Sequence, residues 1–206
     1  YSSSAMSSNP MISSLLQKFV ILDNINIDGM SNGSWANHAR NYEWINFKTT
    51  NFSTINNTRV YNNLLSIDMG TSQHVLINAS KVYDNGTGGI YLNGSTSDRI
   101  QQSEVYENGD YGIWLNWASN DGIVDSVVSH HNGLNGIKIS SSENAKISNS
   151  EVYQNTSAGI IFDTDANAGQ IDSSLIHNNE DGVYLINSMP ITITDSQIYG
   201  NNNYGI

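Results

Sequence analysis

The chain has 206 residues, enough for one ordinary domain or for one stretch of a longer elongated domain. It carries 8 Lys and Arg residues against 19 Asp and Glu residues, and the resulting net charge of −11 repels a phosphate backbone, which argues against a nucleic-acid partner. No cysteine is present, so a disulfide framework and a thiolate metal site are excluded.

The composition favours strands and turns over helices. Asparagine is abundant, with 30 residues, whereas the strong helix formers are scarce. No run of 18 apolar residues occurs, so the sequence predicts no membrane span.

Residues 1–18 form a Ser-rich N-terminus that includes a candidate capping segment. Asn9 and Pro10 suit the cap and first turn of a helix. Apolar residues follow at Met11, Ile12, Leu15, Leu16 and Phe19. The pattern predicts a short capping helix, and a further strand is the alternative. Such a cap is needed if the chain is a solenoid, because an uncovered end exposes apolar core and open strand edges.

A repeat of about 23 residues dominates the chain from residue 85 onward. In each repeat an Asn is followed four positions later by Gly and then by two apolar residues spaced by two, as in GIYL and GIWL. The Asn column is Asn85, Asn108, Asn132, Asn155, Asn178 and Asn201. A Ser column keeps a similar step at Ser80, Ser103, Ser126, Ser150, Ser173 and Ser196.

This repeat predicts coils of short strands. An apolar spacing of two is strand alternation, and about 23 residues cannot hold a helix in addition to strands. Three short strands per coil fit, with coils stacked at about 4.8 Å so that equivalent residues form ladders. Asn tolerates turn conformations, and stacked amides can hydrogen-bond along a column. We therefore predict that the Asn and Ser columns are structural ladders.

The pattern Asn-x-x-x-Gly-Ile-x-Leu resembles the right-handed parallel β-helix of the pectin-lyase-like superfamily. The resemblance implies an all-β fold, a single-stranded right-handed parallel β-helix over residues 19–206, with FVILDNINIDG at 19–29 as an opening coil. The repeat lapses at about 30–43, where we expect an inserted loop carrying Trp35, His38 and Arg40. Because Gly205 and Ile206 start a new coil, the helix is expected to continue beyond 206 or to be capped by another chain.

One outward column of the coils combines aromatic and polar residues. The residue between the two inward apolar positions points outward, which gives Asp68, Tyr91, Trp114, Lys138, Ile161 and Tyr184. Beside it lie Asn93, Asn116, Ser140, Asp163 and Ile186, flanked by Trp117 and Asp165. Aromatic faces beside amides and carboxylates are typical of a sugar-binding surface. We predict substrate contacts at Tyr91, Trp114, Asn116, Trp117 and Tyr184. Strand propensity and contact with another chain are the alternatives.

Three residues of this face are catalytic candidates: Lys138, Asp163 and Asp165. A base beside a carboxylate suits proton abstraction α to a uronic carboxylate, as a lyase or epimerase requires. A hydrolase needs two carboxylates, for which Asp163 and Asp165 are the nearest candidates. Solvated surface charges are the alternative. The sequence lacks the Asn-Thr-Asp, Asp-Asp and Gly-His-Gly set of polygalacturonase-like hydrolases and the Asp-Pro-His of alginate epimerases.

No metal site is predicted with any specificity. His130 and His131 fall where one coil has an extra residue, and His177 is assigned to the column of His131 about 9–10 Å away, too far for one metal. We interpret all three as turn residues. Asp172 and Asp195 are predicted to stack about 5 Å apart, where calcium could offset their repulsion, with outward splay as the alternative. No other cofactor is implied.

Two functions are compatible with these patterns. The first, implied by the resemblance, is a secreted or cell-surface β-helix domain that contacts polysaccharide or another glycan through the aromatic face, as a lyase, hydrolase, epimerase or binding domain. The second is a non-catalytic structural or adhesive repeat that uses the same face for self-association or for a neighbouring domain. The regularity of the repeat favours the second, because active sites usually depart from a repeat. Whether the chain is an enzyme stays open.

Overall fold

The computed structural model describes residues 12–29 and 43–206. These residues form three parallel sheets of eight strands each, which we call sheets A, B and C, with strands numbered along the chain. Sheet A contains β1 (Ile12–Leu15), β4 (Glu43–Lys48), β7 (Leu65–Gly70), β10 (Ile90–Asn93), β13 (Ile113–Asn116), β16 (Ile137–Ser140), β19 (Ala158–Asp163) and β22 (Asp181–Leu185). Sheet B contains β2 (Ile21–Asp23), β5 (Thr54–Asn56), β8 (Leu76–Asn78), β11 (Arg99–Gln101), β14 (Ile123–Asp125), β17 (Lys146–Ser148), β20 (Gln170–Asp172) and β23 (Thr192–Thr194). Sheet C contains β3 (Asn26–Asp28), β6 (Arg59–Tyr61), β9 (Lys81–Tyr83), β12 (Glu104–Tyr106), β15 (Val128–His130), β18 (Glu151–Tyr153), β21 (Leu175–His177) and β24 (Gln197–Tyr199).

Each strand pairs with the strands one coil before and one coil after it. Ile90 in β10, for example, pairs with Ile67 in β7 and with Ile113 in β13. Each coil contributes one short strand to each sheet, and the step between coils is about 23 residues. The predicted all-β parallel helix of three-stranded coils is therefore confirmed. Within the described ranges, no helix has the length and apolarity needed to cross a membrane.

The core fills the inside of the coils. Strand alternation directs Ile113 and Leu115 inward, where each is at most 1% exposed. The largest fully buried side chains are Phe47 and Phe162. Phe162 has room because Gly169 faces it, and a Cβ at Gly169 would lie 2.2 Å from the Phe162 ring. Burial of each such side chain stabilises the coil by about 1.5–3 kcal/mol.

The N-terminal residues that the structure describes form a strand. Ile12–Leu15 is β1, which pairs in parallel with β4, so the favoured helix is wrong for these residues and the alternative, a strand, is correct. Residues 1–11, with Asn9 and Pro10, lie outside the described residues, and a cap before β1 stays a prediction. Residues 30–42, with Trp35, His38 and Arg40, also lie outside the described residues, and so does the expected inserted loop.

The final residues extend sheet A toward a further coil. The N–H of Val183 donates to the carbonyl of Gly205 at 2.9 Å, and the N–H of Gly182 donates to that of Tyr204 at 2.8 Å. Tyr204 and Ile206 are each 67% exposed. Continuation of the helix beyond residue 206, or its capping by another chain, stays a prediction.

An Asn ladder runs through the interior of the helix and confirms the predicted stacking. The side-chain Nδ2 of each member donates to the Oδ1 of the next at 2.8 to 3.2 Å, and that Oδ1 also accepts the backbone N–H of the previous member. The members are Asn63, Asn85, Asn108, Asn132, Asn155, Asn179 and Asn201. Asn178 was the wrong choice, because it is exposed and has a φ of 56°.

A Ser ladder runs along the corner between sheets B and C. Backbone N–H groups donate to the hydroxyl of the next coil at 3.1 to 3.2 Å. Its members are Thr58, Ser80, Ser103, Ser150, Ser174 and Ser196, and Val127 interrupts it because valine has no hydroxyl. Ser80, Ser103, Ser150 and Ser196 are therefore confirmed. Ser126 and Ser173 are wrong, because both are exposed at corners with positive φ. Val127 and Ser174 occupy the inward positions instead.

A stack of rings covers the outside of sheet C and was not anticipated from the sequence. Its members are Tyr61, Tyr83, Tyr106, His130, Tyr153, His177 and Tyr199, with centroids 4.8 to 5.2 Å apart and planes within 12°. His130 and His177 therefore lie on strands, and their interpretation as turn residues is wrong. His130, not His131, shares the column of His177. Each of the two stacked imidazoles contacts a carboxylate, at Glu104 and Glu151.

Candidate functional site

The outward face of sheet A has the predicted register. Asp68, Tyr91, Trp114, Lys138, Ile161 and Tyr184 follow one another in paired positions on consecutive strands. The face forms because each segment of the type Gly-Ile-x-Leu buries its two apolar residues and turns the residue between them outward. Side chains of neighbouring coils are thereby brought to about 5 Å from one another.

Three aromatic side chains on this face form a cluster, Tyr91, Tyr111 and Trp114. The Trp114 ring centroid lies 5.0 Å from that of Tyr91 and 5.0 Å from that of Tyr111, with the Tyr111 contact edge to face at 70°. Tyr111 lies over Gly88, where a Cβ would be only 2.3 Å from its ring. Burial raises the pKa of Tyr111 above its ordinary value. Tyr111 is not predicted from the repeat, because it precedes the strand and belongs to no repeated column.

Hydrogen bonds fix the orientation of this aromatic cluster. The Nδ2 of Asn116 donates to the Tyr91 hydroxyl at 2.9 Å, and the Nε1 of Trp114 donates to the Ser140 hydroxyl at 3.1 Å. Asn116 is only 8% exposed, so its amide supports the ring of Tyr91. Rings held in this way keep their positions without a ligand, which lowers the entropic cost of binding one.

Two of the three catalytic candidates meet beside the aromatic cluster. The Nζ of Lys138 lies 3.0 Å from the Oδ2 of Asp163 and 5.0 Å from the ring centroid of Trp114. The other oxygen of Asp163, Oδ1, is buried and has no hydrogen-bond partner among the described residues. Asp165 lies two residues further along, exposed at the corner after β19. The structure therefore brings Lys138 and Asp163 together, and their catalytic role stays a prediction.

Two corners between sheets A and B are one residue longer than the others. Most coils pass from sheet A to the next inward residue through a single residue with positive φ. Trp117 with Ala118, and Thr164 with Asp165, are instead consecutive pairs with φ between 51° and 63°. Each pair adds one residue to its coil. The extra residue expected near His130 therefore lies at the corner of Trp117 and Ala118.

The two longer corners lie on either side of a shorter one, and we call this region, formed by Trp117, Ser141 and Asp165, the corner notch. In the coil between the corners, Ser141 is the single residue of positive φ between β16 and the inward Ser142. The N–H of Ala118 donates to Ser141 O at 2.7 Å, and the N–H of Ser141 donates to Thr164 O at 2.9 Å, so the three corners are consecutive. The corner notch therefore spans about 10 Å along the helix axis. Trp117, at one side, is 72% exposed.

The predicted substrate-binding residues fall into three places. Tyr91, Trp114 and Asn116 belong to the aromatic cluster and its support. Trp117 lies at the corner notch. Tyr184 is 45% exposed in the same outward column, but it lies two coils from Lys138 with Ile161 between them. Their contact with a substrate stays a prediction.

The stacked carboxylates on which the calcium hypothesis depended are not formed. Asp172 pairs with Thr194, whose hydroxyl donates to its Oδ1 at 2.8 Å. Asp195 lies in the next column, at a corner with a φ of 47°. No group of three His, Cys, Asp or Glu side chains suited to a metal occurs in the part of the chain that the structure describes.

A buried carboxylic acid lies inside the coils, in the connection between β10 and β11. Asp98 is 1% exposed, accepts a hydrogen bond from the Val75 N–H at 2.8 Å, and is in hydrogen-bond contact with the Ser95 hydroxyl. Burial raises the pKa of Asp98 from its ordinary 3.8 to about 6, although both hydrogen bonds act in the opposite direction. The hydrogen bond from Val75 to Asp98 therefore joins two consecutive coils.

The model of the family described as "Right handed beta helix region" matches residues 13–169. The chain belongs to this family. No curated protein matches the sequence. Similar solved structures include the periplasmic alginate epimerase AlgG, with a TM-score of 0.74 and 15% identity over 91% of this chain and 47% of AlgG.

Two further structures share the fold. Pectate lyase Pel9A has a TM-score of 0.64 and 14% identity, covering 75% of this chain and 47% of Pel9A. The A-module of the Azotobacter vinelandii mannuronan C-5 epimerase AlgE4 has a TM-score of 0.67 and 14% identity, covering 95% of this chain and 76% of the module. The chain thus spans about half the length of AlgG and Pel9A. At these identities the likeness shows the pectin-lyase-like fold alone.

Proposed function

We propose that this chain is a secreted or cell-surface β-helix domain that binds a polysaccharide across sheet A. The observation that carries the proposal is the aromatic cluster, whose rings are fixed by Asn116 and Ser140. The exposed Trp117 follows the same strand at the next corner. Aromatic rings present apolar faces to the C–H surface of a sugar, and the neighbouring amides, hydroxyls and carboxylates match its hydroxyl groups. The polysaccharide-acting proteins among the structural neighbours support the same ligand class.

Lys138 is arranged to donate hydrogen bonds. Its ammonium group lies 3.0 Å from the Asp163 carboxylate and over the Trp114 ring, which is the geometry of a hydrogen-bond donor. A base must lose that proton before it can abstract another. The geometry therefore supports binding more directly than the lyase or epimerase reaction for which Lys138 is a candidate. A hydrolase would require Asp163 and Asp165 to act as the two carboxylates while Asp163 also holds Lys138.

Affinity electrophoresis and calorimetry with neutral and acidic polysaccharides test the binding function. We expect at least one polysaccharide to bind, and Trp117→Ala to weaken that binding about tenfold or more. Tyr199→Ala is the matched control, since Tyr199 is an aromatic residue that is 50% exposed on sheet C. Equal effects of the two substitutions, or no binding by the parent chain, would contradict the proposal.

The same polysaccharides test for catalysis. Product analysis would show chain cleavage or inversion at C5, and Lys138→Met, Asp163→Asn and Asp165→Asn would each be compared with the parent chain. Loss of turnover with retained binding would assign a catalytic role to the substituted residue. Binding without turnover would leave the chain as a binding domain.

The alternative is a structural or adhesive repeat whose sheet A meets another protein chain. The continuous Asn ladder favours it, because a rigid regular helix suits a stalk or spacer. Analytical ultracentrifugation separates the two functions. Self-association that Trp117→Ala abolishes, in a chain that binds no polysaccharide, would support the structural function.

A further inference from the structure

The described cations on the outward face of sheet A are both already paired with carboxylates. They are Lys48, whose Nζ lies 3.6 Å from Asp68 Oδ2, and Lys138, whose Nζ lies 3.0 Å from Asp163 Oδ2. Asp68 is 4% exposed, and the side chain of Asp163 is 15% exposed. In both pairs a largely buried carboxylate offsets the charge of the lysine, although Lys48 itself is 48% exposed. The face therefore presents little net positive charge to an incoming anion.

The corner notch adds a negative charge at the edge of sheet A. Asp165 is exposed and forms no ion pair with any described residue. The remaining described cations lie elsewhere, on sheets B and C or beside β1: Lys18, Arg59, Lys81, Arg99 and Lys146. The net charge of −11 adds a long-range repulsion of the same sign.

The chemistry of the corner notch matches an uncharged sugar. A carboxylate accepts hydrogen bonds from sugar hydroxyls, as Asp165 could do, and the exposed Trp117 ring offers an apolar surface to the C–H face of the ring. A uronate would instead bring its own carboxylate toward Asp165 and Asp163, with the nearest ammonium group already shared. Like charges in such a position cost binding free energy.

We propose that the sheet A face is selective for neutral sugar chains over polyuronates, with Asp165 as the residue that determines this selectivity. The inference rests on the proposed polysaccharide-binding function and specifies its substrate class. It departs from the alginate and pectate named for several structural neighbours, which share only the fold with this chain.

The test compares neutral and anionic oligosaccharides of equal length by calorimetry. The neutral probes are cellohexaose, mannohexaose and xylohexaose, and the anionic probes are hexagalacturonate and hexamannuronate. At about 20 mM salt we expect at least one neutral probe to bind about tenfold more tightly than either uronate. The difference should shrink at about 200 mM salt, where exposed charges are screened.

Charge reversal at the corner notch isolates the local effect. Asp165→Lys should raise uronate affinity about tenfold at low salt and narrow the difference from the neutral probes. Glu107→Lys is the matched control, because Glu107 is also an exposed acidic residue with positive φ but follows sheet C. It makes the same change in net charge and should leave the selectivity unchanged.

Three results would overturn the inference. Tighter binding of a uronate than of every neutral probe would overturn the selectivity while leaving polysaccharide binding intact. Equal effects of Asp165→Lys and Glu107→Lys would remove the role of Asp165. Absence of binding by every probe and by every polysaccharide would overturn the proposed function together with the inference.

Discussion

Asn179 accepts two hydrogen bonds from Asn155, one from its backbone N–H and one from its Nδ2, each at 3.0 Å. The Nδ2 of Asn179 in turn donates to the carbonyls of Val152 and His177, both at 3.1 Å, and to Oδ1 of Asn201 at 3.2 Å. Because Asn179 is 0% exposed, water cannot replace these partners. One buried side chain therefore joins three consecutive coils.

We expect Asn179→Ala to lower the free energy of unfolding by about 3 kcal/mol or more, because at least two buried polar groups lose their partners at about 1–3 kcal/mol each. Asn178→Ala is the adjacent control, exposed and outside the Asn ladder, and should cost less than about 1 kcal/mol. Urea unfolding of both variants measures the difference. Similar losses would mean that the register of the ladder is wrong at this coil.

Asp98 should make stability depend on pH. Because burial raises its pKa in the folded state to about 6, the folded chain binds this proton more tightly than the unfolded chain does. The contribution of Asp98 to the free energy of unfolding is fully present below about pH 4 and is lost as pH rises to about 6. This change amounts to about 3 kcal/mol. Asp98→Asn should remove this component.

The test of Asp98 is the difference between the free energies of unfolding of the parent chain and Asp98→Asn, measured at several values from about pH 4 to 7. Subtraction cancels the groups that both chains share, including Glu104 and Asp125, whose pKa values are lowered and whose contributions to the slope have the opposite sign. The difference should fall with rising pH. A flat difference would show that Asp98 titrates alike in the folded and unfolded chains.

The ion pair of Lys138 and Asp163 should contribute more to the stability of the fold than an exposed ion pair does. A double-mutant cycle with Lys138→Met and Asp163→Asn should give a coupling free energy of about 1–2 kcal/mol, since both side chains are partly desolvated. The control is the Lys81 and Glu104 pair, whose side chains are 50% and 33% exposed. Exposed pairs couple by about 0.2–1 kcal/mol despite short distances. Equal coupling in the two cycles would argue against a distinctive electrostatic environment at the site.

Gly88 should be required for the aromatic cluster. Gly88→Ala places a Cβ in the Tyr111 ring, which must move and carry with it the edge contact to Trp114. We expect a changed near-ultraviolet circular dichroism spectrum, a loss of about 1–3 kcal/mol in stability and weaker polysaccharide binding. Tyr111→Phe keeps the ring and should leave the spectrum close to that of the parent. An unchanged spectrum in Gly88→Ala would show that Tyr111 does not lie over Gly88.

The fold could be predicted because each coil repeats the same physical constraint. An inward apolar pair equivalent to Ile113 and Leu115 recurs in successive coils, and a Gly precedes the pair at a constant spacing. The register of sheet A therefore followed directly from the sequence. The outward position of Trp114 and the meeting of Lys138 with Asp163 followed from the same count.

The ladders were harder to predict where similar residues are adjacent. Asn178 and Asn179, like Ser173 and Ser174, offer two candidates for one inward position. The extra residue at Asp165 moves the inward position of the next two corners by one residue, and only the hydrogen-bond register reveals this shift. Tyr111 belongs to no column, so no repeat could indicate it.

The ring stack of sheet C, in contrast, is visible in the sequence as a recurring column of aromatic residues. Tyr83, Tyr106, Tyr153 and Tyr199 recur at the step of the repeat, and His130 and His177 occupy the intervening coils. His130 and His177 complete this column, which is not recognised if they are taken as turn residues.

In all three sheets the strands run across the solenoid and their hydrogen bonds run along it. Tension applied to the two ends of the chain therefore acts on the bonds of an outermost strand one after another, whereas between inner coils the same force is shared by the bonds of all three sheets. The molecule should come apart under traction by peeling, one coil of about 23 residues at a time.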